Sequence, residues 1–228
     1  MLHQIVFAAV LVYNPAVKGL LLMNKVSELI RNKRFPTVTA ALIAANVIYF
    51  IVTALHGGLG NARNMIEMGA DYAPLVFKEY QFWRLLTSMF MHFSFRHLAG
   101  NMIYLGIVGY TYEKLVGSWR FFLIYMLSGI GGNVVSCAYN MITGHNAISA
   151  GASGAVYGVL AIVVYLSYIA RKRTGSSQMF LRIAIMLVFM FYSNFASGSG
   201  IDIAAHIGGL AFGILLCLLF IPYKTWRH

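Results

Sequence analysis

Charge is the first thing this chain lacks. Asp and Glu number 6 and Lys and Arg 17, so charged residues make up only 10% of 228 residues. A soluble domain carries roughly 25%. Hydrophobic residues reach 60%, and a chain so apolar has too little polar surface to cover itself in water. An ordinary soluble enzyme and a disordered segment are both excluded. Proline is scarce, at 4 residues, and the 22 glycines follow no period, which excludes collagen-like repeats. The 2 cysteines, Cys137 and Cys217, sit in apolar runs, so no disulfide framework is implied. The remaining class is a helical protein with several membrane spans.

What is present is a series of long apolar runs. A spanning helix needs about 20 mostly apolar residues. Six stretches qualify, at about 37–55, 97–115, 121–141, 153–170, 179–196 and 203–222. Backbone polar groups in lipid must be bonded internally, so each run is expected as a helix. The fold class is therefore all-α, a six-helix bundle over residues 36–222. Residues 223–228 form a short tail. Residues 1–35 form an N-terminal cytoplasmic or interfacial segment. Within it, Ile5 to Tyr13 is too short to span and is cut by Asn14-Pro15. Residues 1–23 read as an interfacial segment, a seventh span, or an extension ahead of a start at Met23.

The basic residues divide by side. Lys18, Lys25, Arg31, Lys33, Arg34, Lys114, Arg120, Arg171, Lys172, Arg173, Arg182, Lys224 and Arg227 fall on one side, and Arg63, Lys78, Arg84 and Arg96 on the other. Cytoplasmic loops carry the excess of Lys and Arg, which predicts both ends of the six-helix core in the cytoplasm. The formal net charge of +11 is then topology plus attraction to anionic lipid, and a nucleic-acid partner is not needed. The long loop at about 56–96 faces outward. Its aromatic run Tyr80-Gln81-Phe82-Trp83-Arg84 predicts short helices in the outer leaflet. Arg171 to Ser177 reads as a cytoplasmic loop.

Ionisable and polar groups within spans are functional candidates by default. His97 and Asn101 are four apart on one helical face. Ser153 and Tyr157 are also four apart, beside the small-residue stripe of Gly154 and Gly158. His206, Gly209 and Gly213 share a face of the last span. In the predicted topology His97, Asn101, Ser153 and His206 lie at one depth, near the outer ends of three helices. Two glycine stripes let helix backbones approach closely, which would bring Ser153 and His206 within hydrogen-bond reach. A serine hydroxyl becomes a nucleophile when a base takes its proton, and histidine is the usual base. Attack on an amide creates an oxyanion that needs preorganised donors. Asn101, His97 and the Ser153 N–H can supply them. Each part alone has a plainer explanation: a glycine-rich turn, an interhelical hydrogen bond, or packing. Their joint occurrence at one depth points to a serine hydrolase. Asp202 lies four residues before His206 and reads as the helix N-cap rather than a third catalytic member.

The ordered set resembles the rhomboid intramembrane serine proteases. It comprises Trp83-Arg84, His92, His97-x-x-x-Asn101, Glu113 with Gly117, Gly151-Ala-Ser153-Gly154-x-x-Tyr157-Gly158, and Ala205-His206-x-Gly-Gly209-x-x-x-Gly213. The resemblance implies a six-helix bundle, with Ser153 as nucleophile, His206 as general base and acid, and His97 and Asn101 holding the oxyanion. It implies that Tyr157 packs against His206, that Trp83 and Arg84 brace the outer loop, and that Glu113 braces the inner end of the second span. His92 is placed in the loop as a stabilising residue. It further implies cleavage of transmembrane proteins near the outer membrane face, with the bilayer as the other partner. A bacterial cell membrane is the expected setting. Glu113 alone would read as a solvated charge at a helix end, and Trp83 and Arg84 as interface anchors.

Competing chemistries leave different marks. A zinc protease needs His-Glu-x-x-His, and the chain has no His-Glu dipeptide. An aspartyl type needs two intramembrane aspartates, and Asp71 and Asp202 fall in a loop and at a helix edge. No metal and no cofactor is expected. A transporter would show internal repeats and broken midplane helices; the sequence has no repeat, and its polar cluster lies off-centre. The alternative within the same fold is a non-catalytic protein that binds or escorts membrane clients.

Overall fold

The computed structural model describes residues 35–145, 147–174 and 202–222. Among the described residues five long helices carry the architecture: α1 (Thr37–Gly57), α5 (Phe95–Val116), α6 (Ser118–Thr143), α7 (Ser153–Thr174) and α8 (Ile203–Phe220). Four of them, α1, α6, α7 and α8, are long and apolar enough to cross a membrane. α5 coincides with the second predicted span but is less apolar, because Arg96, His97, Asn101, Glu113 and Lys114 lie along it. The predicted span at 179–196 and the N-terminal segment lie outside the described residues.

Helix boundaries follow local chemistry. Ser94 caps α5 by accepting from the His97 N–H at 3.2 Å. Gly117 ends α5 and opens α6, with φ 91 and its N–H donating to the Glu113 carbonyl. Only glycine takes that left-handed φ without strain. α7 runs through Thr174, so Arg171 to Thr174 is helix rather than the expected loop. Arg and Lys are good helix formers, and the Lys172 ammonium sits over the Tyr168 ring one turn back, at 5.8 Å.

The connection between α1 and α5 holds the expected short helices: α2 (Ala62–Glu67), α3 (Ala73–Phe77), α4 (Arg84–Thr87) and a 3₁₀ turn at Ser88–Phe90. It also departs from an all-helical reading. β1 (Asp71–Tyr72) pairs antiparallel with β2 (Ile148–Ser149), the stretch just before α7. This ties the loop to the segment that carries Ser153.

α8 packs against α6 and α7, which also pack against each other. Among the described spans α7 is the most enclosed, and Ala155, Val159, Leu160, Ala161, Ile162 and Ile169 are all nearly inaccessible. Glycines permit this. A Cβ on Gly209 would lie 2.8 Å from the Gly154 carbonyl carbon, and one on Gly213 would lie 2.7 Å from Gly158 Cα. α6 contributes a third set: a Cβ on Gly132 would meet the Ala205 carbonyl oxygen at 2.6 Å. Two stripes were expected; three helices share the contact. Gly129, Gly131 and Gly132 were the available sign.

At one end of the bundle, Glu113 of α5 is 2% exposed. It accepts from the Val38 N–H at 3.1 Å, the Thr39 N–H at 2.8 Å, the Thr39 hydroxyl at 2.7 Å and the Ser118 hydroxyl at 2.8 Å. The N-terminus of α1 has no side-chain cap of its own, and Glu113 caps it from another helix. The residue is buried and bonded, not a solvated helix-end charge.

Candidate active site

Ser153 opens α7 at the other end of the bundle, and His206 lies in the first turn of α8. The close approach of these helices sets Ser153 Oγ 2.8 Å from His206 Nε2. Tyr157, one turn beyond Ser153, stacks on the imidazole with ring centroids 4.4 Å apart and planes 25° from parallel. Ser153 is half-buried and His206 is buried. The first ladder bond of α7 runs from the Val156 N–H to the Ala152 carbonyl. The N–H groups of the first turn thus lie at the positive end of the helix dipole, outside its ladder.

The turn before Ser153 is built tightly. Gly151 has φ +151, and its N–H donates to the Ser88 carbonyl at 2.9 Å. A Cβ there would come within 2.7 Å of His97 Cε1, so the His97 ring lies against this backbone. Asn101, one turn along α5, is buried, and its Nδ2 is 3.0 Å from His92 Nε2. The Ala152 N–H reaches the same His92 nitrogen at 3.4 Å. His92 and His97 meet edge to face, with centroids 5.0 Å apart. Burial, with His97 beside it, pushes His92 down to about 3, against a smaller pull from the Phe90 backbone. It is neutral at pH 7.

The supporting residues separate by position. Arg84 is buried and donates to the Ile66 carbonyl at 2.6 Å, the Ala70 carbonyl at 3.1 Å and Gln81 Oε1 at 2.7 Å. Trp83 is half exposed, with the Arg84 guanidinium over its ring at 4.6 Å. Both belong to the loop. Glu113 is at the opposite end of α5. Gly154, Gly158, Gly209 and Gly213 line the α7–α8 contact.

Asp202 caps α8, its Oδ1 accepting from the Ala205 N–H at 2.9 Å. Its Oδ2 accepts from the Ser149 hydroxyl at 2.5 Å and from the Ser136 hydroxyl. Both oxygens are thus engaged away from the imidazole. Nearby, Asp71 Oδ1 accepts from the Cys137 thiol at 2.6 Å. Burial pushes Asp71 up to about 7; Asp202 adds to the rise, while the Cys137 hydrogen bond and Arg84 oppose it. Among the described residues, no group of three or more His, Cys, Asp or Glu is placed to hold a metal ion.

The bonding of His92 is not legible in the sequence, nor are the roles of Ser88, Ser136, Ser149 and Cys137. His92 is five residues before His97, outside the helix, so no periodicity links it to Asn101. Only the folded loop brings them together.

Known proteins are similar in sequence. The Rhomboid domain matches residues 79–223. The chain belongs to the rhomboid family. It is 36% identical over 181 residues to Rhomboid protease GluP of Bacillus subtilis, covering 78% of this chain and 34% of that protein. It is 34% identical over 157 residues to RHOMBOID-like protein 1 of Arabidopsis thaliana, covering 68% of this chain and 39% of that one. A third relative, Rhomboid-like protease 3 of Toxoplasma gondii, is 28% identical over 180 residues, 77% of this chain and 66% of its own. The chain thus spans little more than a third of the length of the first two relatives. A rhomboid with four helices long and apolar enough to cross a membrane, it is an integral membrane protein.

Proposed function

We propose that this rhomboid hydrolyses peptide bonds in or near the transmembrane segments of other membrane proteins, through a dyad of Ser153 and His206. The observation that carries the reading is the 2.8 Å contact between Ser153 Oγ and His206 Nε2. Ser153 Oγ attacks the scissile carbonyl carbon as His206 Nε2 takes its proton. The carbonyl oxygen becomes an oxyanion, held by the Asn101 amide, the His97 imidazole and the Ser153 N–H. The C–N bond then breaks, and His206 returns the proton to the leaving amine. Water, deprotonated by His206, attacks the ester carbonyl; the ester C–O bond breaks, His206 returns that proton to Ser153 Oγ, and the carboxyl product is released. Tyr157 holds the imidazole by stacking.

The basic residues support an orientation with both core ends cytoplasmic, which puts Ser153 toward the outer face. Substrates are single spans whose outer ends unfold readily, since a helical backbone must open before its carbonyl meets Ser153. Small or helix-breaking residues near the cut favour that opening.

A serine-directed fluorophosphonate probe tests the reading. Purified protein in detergent is expected to be labelled at Ser153, and Ser153→Ala or His206→Ala to abolish both labelling and cleavage of a membrane-spanning substrate. The double variant should be little worse than either single, because the pair acts as a unit. Near-wild-type cleavage by either variant would reject the dyad. Client binding without any labelling would favour the escort reading.

A further inference from the structure

We infer that His92 is a positioning residue that decides which end of the Asn101 amide faces the reacting carbonyl. The inference rests on the oxyanion role proposed for Asn101. A carboxamide has a donor end and an acceptor end of nearly the same shape. Turned one way, Asn101 offers N–H to an oxyanion. Turned the other way, it offers a carbonyl oxygen, which an oxyanion repels. The bonding partner of the amide sets the choice.

That partner is His92 Nε2, 3.0 Å from Asn101 Nδ2. A second group reaches the same nitrogen, the backbone N–H of Ala152 at 3.4 Å. A backbone N–H has no other role than donor. The nitrogen it meets must therefore carry the lone pair, which makes Nδ1 the protonated nitrogen of His92. The ring is fully buried and neutral, so it has one acceptor nitrogen. Asn101 must then present Nδ2 to it. One of the two amide protons binds His92, and the other remains for the oxyanion. The Ala152 contact also ties this geometry to the residue preceding Ser153, so nucleophile and amide are indexed to one imidazole.

The inference separates from simple loop support. A leucine at position 92 fills the space without an acceptor. A glutamine carries a carbonyl oxygen near the position of Nε2. His92→Leu is expected to lower kcat by on the order of tenfold to a hundredfold, part of the loss typical for an oxyanion donor, with KM little changed. His92→Gln is expected to recover most of it. In an Asn101→Ala background, His92→Leu should add little. Losses that multiply in the double variant, or a leucine variant with wild-type kcat, would overturn the positioning role while leaving the dyad intact. An Asn101→Ala variant with wild-type kcat would overturn both this inference and the oxyanion reading. Fluorophosphonate labelling of Ser153 reports separately on the dyad. A further measurement needs no substitution: ¹⁵N spectroscopy of His92 in the wild-type protein. Nε2 is expected as the unprotonated nitrogen at neutral pH, and a protonated Nε2 would refute the argument.

Discussion

α1 and α7 are similar in composition and differ in how they are held. Both exceed the length and apolarity needed to span a membrane, yet 83% of the most apolar stretch of α7 is buried and only 22% of that of α1. The buried residues of α1 are Thr39, Leu42, Asn46 and Thr53, a stripe at spacings of three, four and seven. Three of the four are polar. Thr39 bonds Glu113, and Asn46 reaches the Tyr125 hydroxyl at 3.3 Å. α7 instead is enclosed by α6 and α8 through glycine contacts. In lipid there is no hydrophobic drive to bury apolar faces, so helices associate by close packing or polar bonds. α7 relies chiefly on the first, while α1 adds polar bonds to a close contact of its own, where a Cβ on Gly109 would meet the Thr39 side chain at 2.5 Å. The catalytic groups we propose sit where packing dominates, which is the less forgiving arrangement.

Breaking the packing should have the largest effect. At Gly209, a side chain would meet the backbone of Gly154, not a flexible side-chain end. Gly209→Val must therefore separate α8 from α7. Overpacking typically costs about 1–3 kcal/mol, and a 1 Å misplacement of reacting groups can cost about a hundredfold in rate. We expect loss of Ser153 labelling and a lower unfolding temperature in detergent. A fully active variant would show that backbone contact does not set the distance from Ser153 to His206.

Breaking the polar attachment should destabilise without silencing. Glu113→Ala leaves the Val38 and Thr39 donors without their acceptor, and each buried orphan costs about 1–3 kcal/mol. The site lies at the other end of α5. Thermal stability is expected to fall clearly, while kcat per folded molecule at low temperature stays near wild type. An equal loss of kcat would mean that α1 docking is coupled to the dyad.

These two outcomes bear on what a sequence can carry. Helical periodicity is local, so His97 with Asn101, Ser153 with Tyr157, and His206 with Gly209 and Gly213 are legible as shared faces. The register between helices is not local. Glu113 looks like a solvated charge because the groups it bonds are 74 and 75 residues away. His92 looks like a loop residue for the same reason. The β1–β2 pair is two residues long on each side, too short to show any alternation. The third glycine set, on α6, was visible as Gly129, Gly131 and Gly132 but had no partner assigned, because hydropathy does not say which helices touch.

A smaller, pH-dependent effect belongs to the loop that contrasts with both helices. Asp71 is buried, and among the described residues its Oδ2 has no hydrogen-bond partner. Burial raises its folded value to about 7 from an ordinary 3.8. A carboxyl that binds its proton more tightly when folded favours the folded state at low pH. That advantage is complete below about pH 4 and is lost progressively as pH rises through about 7. Cys137, Asp202 and Arg84 face the group, and ionising it beside Asp202 adds repulsion. The slope amounts to at most about 1.4 kcal/mol per pH unit. His92, held down at about 3, takes up its proton only on unfolding and so works in the opposite direction below about pH 6.5. Relative to Asp71→Asn, the wild type should therefore lose unfolding temperature between pH 5 and pH 8. An identical slope in both would assign the titration elsewhere.

The smallest effect is expected at Asp202, although it lies only four residues before His206. A Ser-His-Asp triad is the obvious alternative to a dyad, and Asp202 is one helical turn from His206. Its oxygens are engaged otherwise. Oδ1 caps α8 through the Ala205 N–H, and Oδ2 takes the hydroxyls of Ser149 and Ser136. The Ser149 contact also joins α8 to β2, so Asp202 anchors the segment leading into Ser153. Asp202→Asn keeps an oxygen for the cap and places an amide beside two hydroxyls, which can rotate to accept from it. The negative charge at the helix N-terminus is lost, worth about 0.3–1 kcal/mol. Stability should fall by about that amount, and kcat should drop by no more than a few fold. In a serine-protease triad, the same change costs about 10⁴ in kcat, because the histidine loses its tautomer. A loss approaching that size in folded protein would mean that Asp202 leaves its cap during the reaction to hold His206. A small loss would mean that groups other than Asp202, the stacked Tyr157 ring among them, orient the imidazole.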